Sequence, residues 1–162
     1  MKPENILLDE DDEGNICSQV ADFGSSAIRG QLRIPEGTPL WNAPELQIGH
    51  RHYVSAEDII SSDLYSFGLL AAHVLVPKAD LAKIDLFLLE PTRNTTQTLR
   101  TLQKGGSLGR KLISVAATSN IPPVHLQLLD MILIGALHSD PSLRVFDWRA
   151  ILDLVEKGAS SR

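Results

Sequence analysis

Three short groups of residues near the N-terminus carry side chains that could do chemistry. Lys2-Pro3-Glu4-Asn5 precedes the first apolar run, Asp22-Phe23-Gly24 follows the second, and Ala43-Pro44-Glu45 comes after a longer segment. The amide of Asn5 and the carboxylate of Asp22 are oxygen-bearing groups that could serve one site. They are 17 residues apart, so they can act together only if the chain folds back between them.

A β-hairpin would bring the two side chains together. Ile6-Leu7-Leu8 and the run from Ile16 to Val20 have strand character, and the acidic stretch between them ends in Gly14-Asn15, which is a strong turn signal. We therefore predict a hairpin with a loop of six or seven residues. The segment from Asp22 to Gly37 has no clean period and is predicted to be a long loop, a feature that is often functional.

The rest of the chain has a helical pattern. Ser62 or Asp63 is predicted to cap a helix that is apolar on nearly every side from Phe67 onward, which marks the buried centre of the fold. The remaining predictions are a weak helix at Lys83–Leu89, loop over Thr92–Ser119 with some helix around Thr95–Gln103, a helix from Pro122-Pro123 to about His138, and a last helix capped by Asp147 and bearing Trp148, Ile151, Leu152 and Val155.

In order and spacing, the three N-terminal groups resemble the C-terminal lobe of eukaryotic protein kinases of the serine/threonine type. Three later segments support the resemblance: Gly37-Thr38, Asp63 to Gly68, and Asp140-Pro141-Ser142-Leu143-Arg144. The expected fold is mostly α, a kinase-like helical lobe with a small β-hairpin and an activation segment. The expected divisions are a catalytic-loop remnant (1–5), the hairpin (6–20), the activation segment (22–45), a helical subdomain (46–157) and a tail (158–162).

The resemblance implies ATP-dependent phosphoryl transfer to serine or threonine, with ATP and Mg²⁺ as cofactors. It assigns Asn5 and Asp22 to the metal and the nucleotide, Lys2 to steadying the transferred phosphate, and Thr38 to seating the substrate. It also implies structural roles. Glu45 would pair with Arg144, Asp63 would cap the central helix and bond the catalytic-loop backbone, and Phe23, beside Gly24, would pack under the hinge between lobes.

One part of the pattern is not among these residues. The family's His-Arg-Asp triplet places its base Asp five residues before the Asn, one position ahead of Met1. The Gly-rich loop and the strand lysine of the N-terminal lobe are not in the sequence either. We therefore expect the 162 residues to be inactive and poorly soluble alone, with an apolar patch on the Phe67–Val76 helix. The alternative is a pseudokinase fragment that acts as a non-catalytic interaction module.

Composition narrows the class of partner. The formal net charge is −5, and six acids and one base within the first 13 residues account for all of it. This charge argues against nucleic acid as the main partner, and the longest apolar run, Phe67–Val76, is too short to span a membrane. The resemblance implies a protein substrate or partner. The single Cys17 favours a reducing compartment, so the expected location is cytoplasmic. A calcium loop is not indicated, because Val20 stands where an EF-hand needs Glu.

Overall fold

A two-stranded hairpin and six helices make up the described part of the chain. The computed structural model describes residues 1–24, 26, 38, 40–46, 54–86 and 93–159. The elements in chain order are β1 (Ile6–Glu10), β2 (Ile16–Val20), α1 (Ala56–Leu75), α2 (Lys78–Ala82), α3 (Arg93–Lys104), α4 (Leu108–Thr118), α5 (Pro123–Ala136) and α6 (Trp148–Ala159), with 3₁₀ turns at Pro3–Asn5, Pro44–Leu46 and Pro141–Leu143. This is the mostly helical fold with a small antiparallel sheet that the sequence predicts, and it is consistent with a kinase-like C-lobe.

The hairpin forms where the sequence predicts it. β1 and β2 are antiparallel, with Ile6 opposite Val20 and Glu10 opposite Ile16. The loop has five residues, fewer than predicted, because the Asp11 carboxylate closes it by accepting hydrogen bonds from the backbone N–H groups of residues 13 and 15 at 3.0 and 2.8 Å. Gly14 has a φ of 83°, a left-handed conformation that glycine adopts without steric cost.

The cap of helix α1 lies seven residues before the first of the two predicted cap residues. Its N-cap is Ser55, whose hydroxyl accepts from the backbone N–H of Asp58, while the Asp58 carboxylate accepts from the N–H of Ser55. This reciprocal capping box satisfies two N–H groups that the first turn leaves without a partner. The prediction that Ser62 or Asp63 caps the helix was wrong, because both residues lie within it.

Two further helix predictions were wrong. The weak helix predicted at Lys83–Leu89 is α2, which ends at Ala82 and is followed by a turn containing Asp85 at a φ of 54°; residues 87–89 lie outside the described part. Within Thr92–Ser119 the helix predicted around Thr95–Gln103 is confirmed as α3, but the remainder was predicted as loop and contains α4. Helix α4 was missed because its polar residues masked an inward stripe formed by Leu108, Leu112 and Ala116, all fully buried.

The core is centred on α1 and α5, as the sequence predicts for the first of these helices. Leu69, Leu129 and Leu133 are among its most deeply buried side chains. The two helices approach closely at Gly68, where an added Cβ would lie 2.5 Å from the Cβ of Ala136. The helix predicted after Pro122 and the cap at Asp147 are both confirmed, the latter by a 3.0 Å hydrogen bond from the N–H of Ala150.

Exposed apolar surface does not lie where the sequence predicts it. Within residues 67–76 only Val74 is exposed, at 70%. The other exposed apolar side chains of the described residues lie mainly on the hairpin and near the C-terminus: Leu7, Leu8, Ile16, Val20, Phe23, Leu143, Val145, Trp148, Leu152 and Val155. The predicted patch on α1 was therefore wrong, because α5 and the helices around it cover that segment.

The C-terminal helix is longer than predicted. Gly158 and Ala159, which the sequence analysis assigned to a tail, belong to α6. Gly158 lies against Val124, whose Cγ2 would be 3.1 Å from an added Cβ, so the absent side chain lets the two elements approach closely. None of the helices described has the length and apolar character needed to cross a membrane.

Candidate functional site

The end of the hairpin brings Asn5 and Asp22 together. The backbone N–H of Ala21 donates to the carbonyl oxygen of Asn5 at 2.8 Å, which continues the hairpin pairing by one more position. Asp22 is the next residue, and its carboxylate oxygen Oδ2 lies 3.5 Å from the Asn5 amide nitrogen Nδ2. The two side chains that the sequence separates by 17 residues therefore meet at an exposed edge of the fold.

The backbone at Asp22 is in a conformation that few side chains adopt. Its φ is 62°, in the left-handed region that costs an L-residue roughly 1–2 kcal/mol, although Asp and Asn tolerate it best. The N–H of Gly24 points at the Asp22 carboxylate, with a distance of 3.4 Å to Oδ1. A strained backbone of this kind is concentrated at functional sites, and here it turns a carboxylate toward Asn5.

This edge carries one carboxylate and one carboxamide, the two oxygen-bearing groups that the resemblance assigns to Mg²⁺. Asp22 is exposed and Asn5 is half-buried, and the Asn5 amide nitrogen faces the carboxylate. Mg²⁺ keeps several waters and uses one or two protein carboxylates plus substrate phosphates, so a crowded protein cage is not needed. Among the residues described, no group of three or more His, Cys, Asp or Glu side chains is placed to hold a metal ion.

The resemblance assigns two further residues, Lys2 and Thr38, to the site. Lys2 is half-buried immediately before the 3₁₀ turn, and its carbonyl oxygen accepts from the N–H of Asn5 at 3.0 Å. Thr38 is exposed, and its carbonyl oxygen accepts from the N–H of Trp41 at 2.9 Å. The structure joins neither side chain to Asn5 or Asp22 by a hydrogen bond. Most of the segment between Gly24 and Leu40 lies outside the described residues.

Asp63 and Phe23 differ from the roles that the resemblance implies. Asp63 does not cap α1, but its carboxylate oxygen Oδ1 lies 3.6 Å from the backbone nitrogen of Met1, so it faces the segment that holds Lys2 and Asn5. Phe23 is 68% exposed. With that exposure it is not packed under another element of the described fold.

Glu45 and Arg144 form the ion pair that the resemblance implies. Nη1 of Arg144 lies 2.5 Å from Oε1 of Glu45, and Nη2 lies 2.9 Å from Oε2. The arginine side chain is 0% exposed and the glutamate side chain 25%. This two-point contact, between residues 99 positions apart, ties the 3₁₀ turn at Pro44–Leu46 to the late helices.

The surroundings of Arg144 satisfy the rest of its guanidinium. Nε donates to the carbonyl oxygen of His138 at 2.9 Å, and Nη1 donates to that of Ser61 at 3.1 Å. The guanidinium carbon lies 4.8 Å from the centre of the Tyr65 ring. Burial raises the pKa of Tyr65 well above its usual value, so the phenol stays neutral beside the ion pair.

The contacts that seat the segment before Glu45 were not predicted from the sequence. The hydroxyl of Ser66, buried in α1, donates to the carbonyl oxygen of Trp41 at 2.7 Å. The Trp41 ring packs edge-on against His73, with ring centroids 5.9 Å apart. Ser66 stands in the part of α1 that the sequence predicts to be buried, and a buried hydroxyl needs a partner. Its partner could not be read from the sequence.

Comparison with known proteins supports a kinase relationship over about half of the chain. CBL-interacting serine/threonine-protein kinase 24 of Arabidopsis thaliana is 40% identical over 85 residues, covering 50% of this chain and 18% of the relative. CBL-interacting protein kinase 2 of Oryza sativa subsp. japonica is 39% identical over 94 residues, covering 54% and 20%. Dual specificity protein kinase shkD of Dictyostelium discoideum is 35% identical over 83 residues, covering 49% and 10%.

Other comparisons gave no match. No protein-family model matches the chain, and no solved structure matches it. The chain spans a fifth or less of the length of the three relatives named above. The motifs, the mostly helical fold with its hairpin and these relatives agree, and the chain is therefore related to the serine/threonine protein kinases.

Proposed function

We propose that this chain carries the metal-binding and substrate-seating part of a phosphoryl-transfer site that acts on serine or threonine in proteins. The observation that supports it is the approach of Asn5 and Asp22, 3.5 Å apart at the end of the hairpin. Phosphoryl transfer depends on positioning and on neutralising the charge of the triphosphate. Mg²⁺ bound with ATP would supply that neutralisation.

Each residue of the site has a stated task in this proposal. Asp22 and Asn5 hold the metal–nucleotide complex at the hairpin end, and the left-handed backbone at Asp22 fixes the direction of its carboxylate. Lys2, immediately before the turn that contains Asn5, steadies the transferred phosphate with its positive charge. Thr38 seats the hydroxyl-bearing substrate. The ion pair of Glu45 and Arg144 holds the segment before Glu45 on the helical lobe.

In this proposal the 162 residues do not complete the reaction alone. They contain no His-Arg-Asp triplet, so the base that takes the proton from the acceptor hydroxyl is not among them. We expect no phosphoryl transfer from ATP to a peptide library with serine, threonine and tyrosine acceptors when this chain is assayed alone. Transfer by the chain alone would contradict this part of the proposal.

A chimera tests the positive part. The N-terminal part of the Arabidopsis relative, which precedes its match to this chain, is fused ahead of Met1. Incorporation of labelled phosphate is then measured with ATP and Mg²⁺. We expect phosphorylation of serine and threonine acceptors and a loss of about 100- to 1000-fold in kcat for Asp22→Asn, because a preorganised charge at the phosphates is removed. Asp12→Asn makes the same substitution in the hairpin loop and is expected to leave kcat unchanged.

Two outcomes would contradict the proposal. One is full activity of the Asp22→Asn chimera. The other is a chimera that unfolds cooperatively, and is therefore folded, but transfers no phosphate. The second outcome would favour the pseudokinase alternative, a non-catalytic interaction module.

A further inference from the structure

An open groove lies between α5 and α6, outside the candidate phosphoryl-transfer site. Its volume is about 390 Å³. Half-buried apolar side chains supply one part of its lining, namely Met131, Ala150 and Leu154. Polar side chains supply the other part: Gln127 and Asp130 on α5, and Asp153 and Lys157 on α6. The lining of the groove therefore combines apolar side chains with charged side chains, and both helices carry charge.

The charge in this groove is not balanced. Asp130 and Asp153 are on facing helices, and neither carboxylate makes a hydrogen bond or an ion pair with another side chain in the described part of the chain. Lys157 contributes one positive charge, so the lining has one carboxylate in excess. A half-buried carboxylate such as Asp130 gains from a positive partner, because its contact with water is already reduced.

These features together favour an arginine side chain. Its aliphatic stem can cover apolar surface while its charged head stays near water. The planar guanidinium has five donors and can reach two carboxylates at once, which a compact ammonium does less well. We propose that the α5–α6 groove docks an arginine side chain, flanked by apolar residues, of a partner protein. This proposal does not depend on phosphoryl transfer.

A peptide titration of the full 162-residue chain tests it. The probe is N-acetyl-Leu-Arg-Leu-amide, and the control is the same peptide with citrulline, which has the shape of arginine without its charge. Backbone amide shifts are followed by nuclear magnetic resonance in ¹⁵N-labelled protein. We expect the arginine peptide to shift the amides of Gln127, Asp130, Ala150 and Leu154, and the citrulline peptide to bind about tenfold more weakly.

Variants separate the groove from a general attraction to acidic surface. The double substitution Asp130→Asn and Asp153→Asn is expected to weaken binding about tenfold, since it removes two ion pairs. The double substitution Asp12→Asn and Glu13→Gln removes the same charge from the hairpin loop and is expected to have no effect. Lys157→Gln removes a repelling charge and is expected to tighten binding about twofold, which keeps the test valid if the groove double variant does not fold.

The proposal is overturned by any of three results. The first is that no amide shifts with peptide at about 10 mM, because a Kd above that concentration is too weak for a useful docking contact. The second is equal binding of the citrulline peptide. The third is a set of shifts that falls on the hairpin loop and disappears in its double variant, which would show attraction to the acidic loop only.

Discussion

Replacing Glu45 by alanine would leave the guanidinium of Arg144 buried without its counter-charge. That side chain is 0% exposed, and the lost contact consists of two hydrogen bonds at 2.5 and 2.9 Å. The carbonyl oxygens of Ser61 and His138 remain as acceptors but carry no net charge. Breaking a buried pair by removing one partner costs about 3–5 kcal/mol, so we expect the free energy of unfolding to fall by that amount.

Urea unfolding, followed by circular dichroism, measures this loss. In a domain of this size 1 kcal/mol corresponds to about 2–4 °C in Tm, so the melting temperature should fall on the order of 10 °C. Arg144→Lys should also destabilise the fold, because an ammonium cannot make the two-point contact and reach both carbonyls. The double variant Glu45→Ala and Arg144→Met should lose about 2 kcal/mol less stability than the sum of the losses of the two single variants. The reason is that no unpaired charge remains buried in the double variant.

An exposed ion pair in the same chain is the matched control. Lys83 lies 2.7 Å from Asp80, and its side chain is 74% exposed. We expect Lys83→Ala to leave the urea midpoint unchanged within error, because water and salt screen such pairs. A loss below about 1 kcal/mol for Glu45→Ala, comparable to that of an exposed pair, would refute the reasoning that burial makes the Glu45 contact strong.

Three further substitutions test the packing, the half-buried histidine and a helix cap. Gly68→Ala would place a Cβ 2.5 Å from that of Ala136 and should destabilise the fold by about 1–3 kcal/mol in urea unfolding, whereas Gly105→Ala, with 3.4 Å to its nearest atom, should cost far less. Burial, and then the nearby positive charge of a lysine, lowers the pKa of His73 below 6.5, so the unfolded chain binds its proton more readily and stability is lost as the pH falls through and below 6.5. His73→Phe should flatten the dependence of unfolding free energy on pH between about pH 5 and 7; an unchanged slope would contradict this. Asp147→Ala removes the cap of α6 and should lower stability by about 1 kcal/mol, with amide exchange fastest in the first turn of that helix.

Local patterns in the sequence predicted the elements whose signals are local. The turn at Gly14-Asn15 and the flanking apolar runs predict the hairpin, and Asp147 predicts the start of α6, because turns and caps are made by residues a few positions apart. The same locality explains the errors. Ser62 and Asp63 have cap-forming side chains, but the chain is already helical when it reaches them, and the stronger capping box formed by Ser55 and Asp58 begins the helix earlier.

The motifs in the sequence determined the relationship to protein kinases and named Asn5, Asp22, Glu45 and Arg144. Only the tertiary structure decided which of these side chains meet, because contact across 17 or 99 positions depends on how the hairpin and the helices pack. It also decided which apolar residues are covered, since periodicity gives the faces of a helix but not its neighbours. The groove between α5 and α6 has no sequence signature at all, because its two walls come from separate helices whose spacing is set by packing.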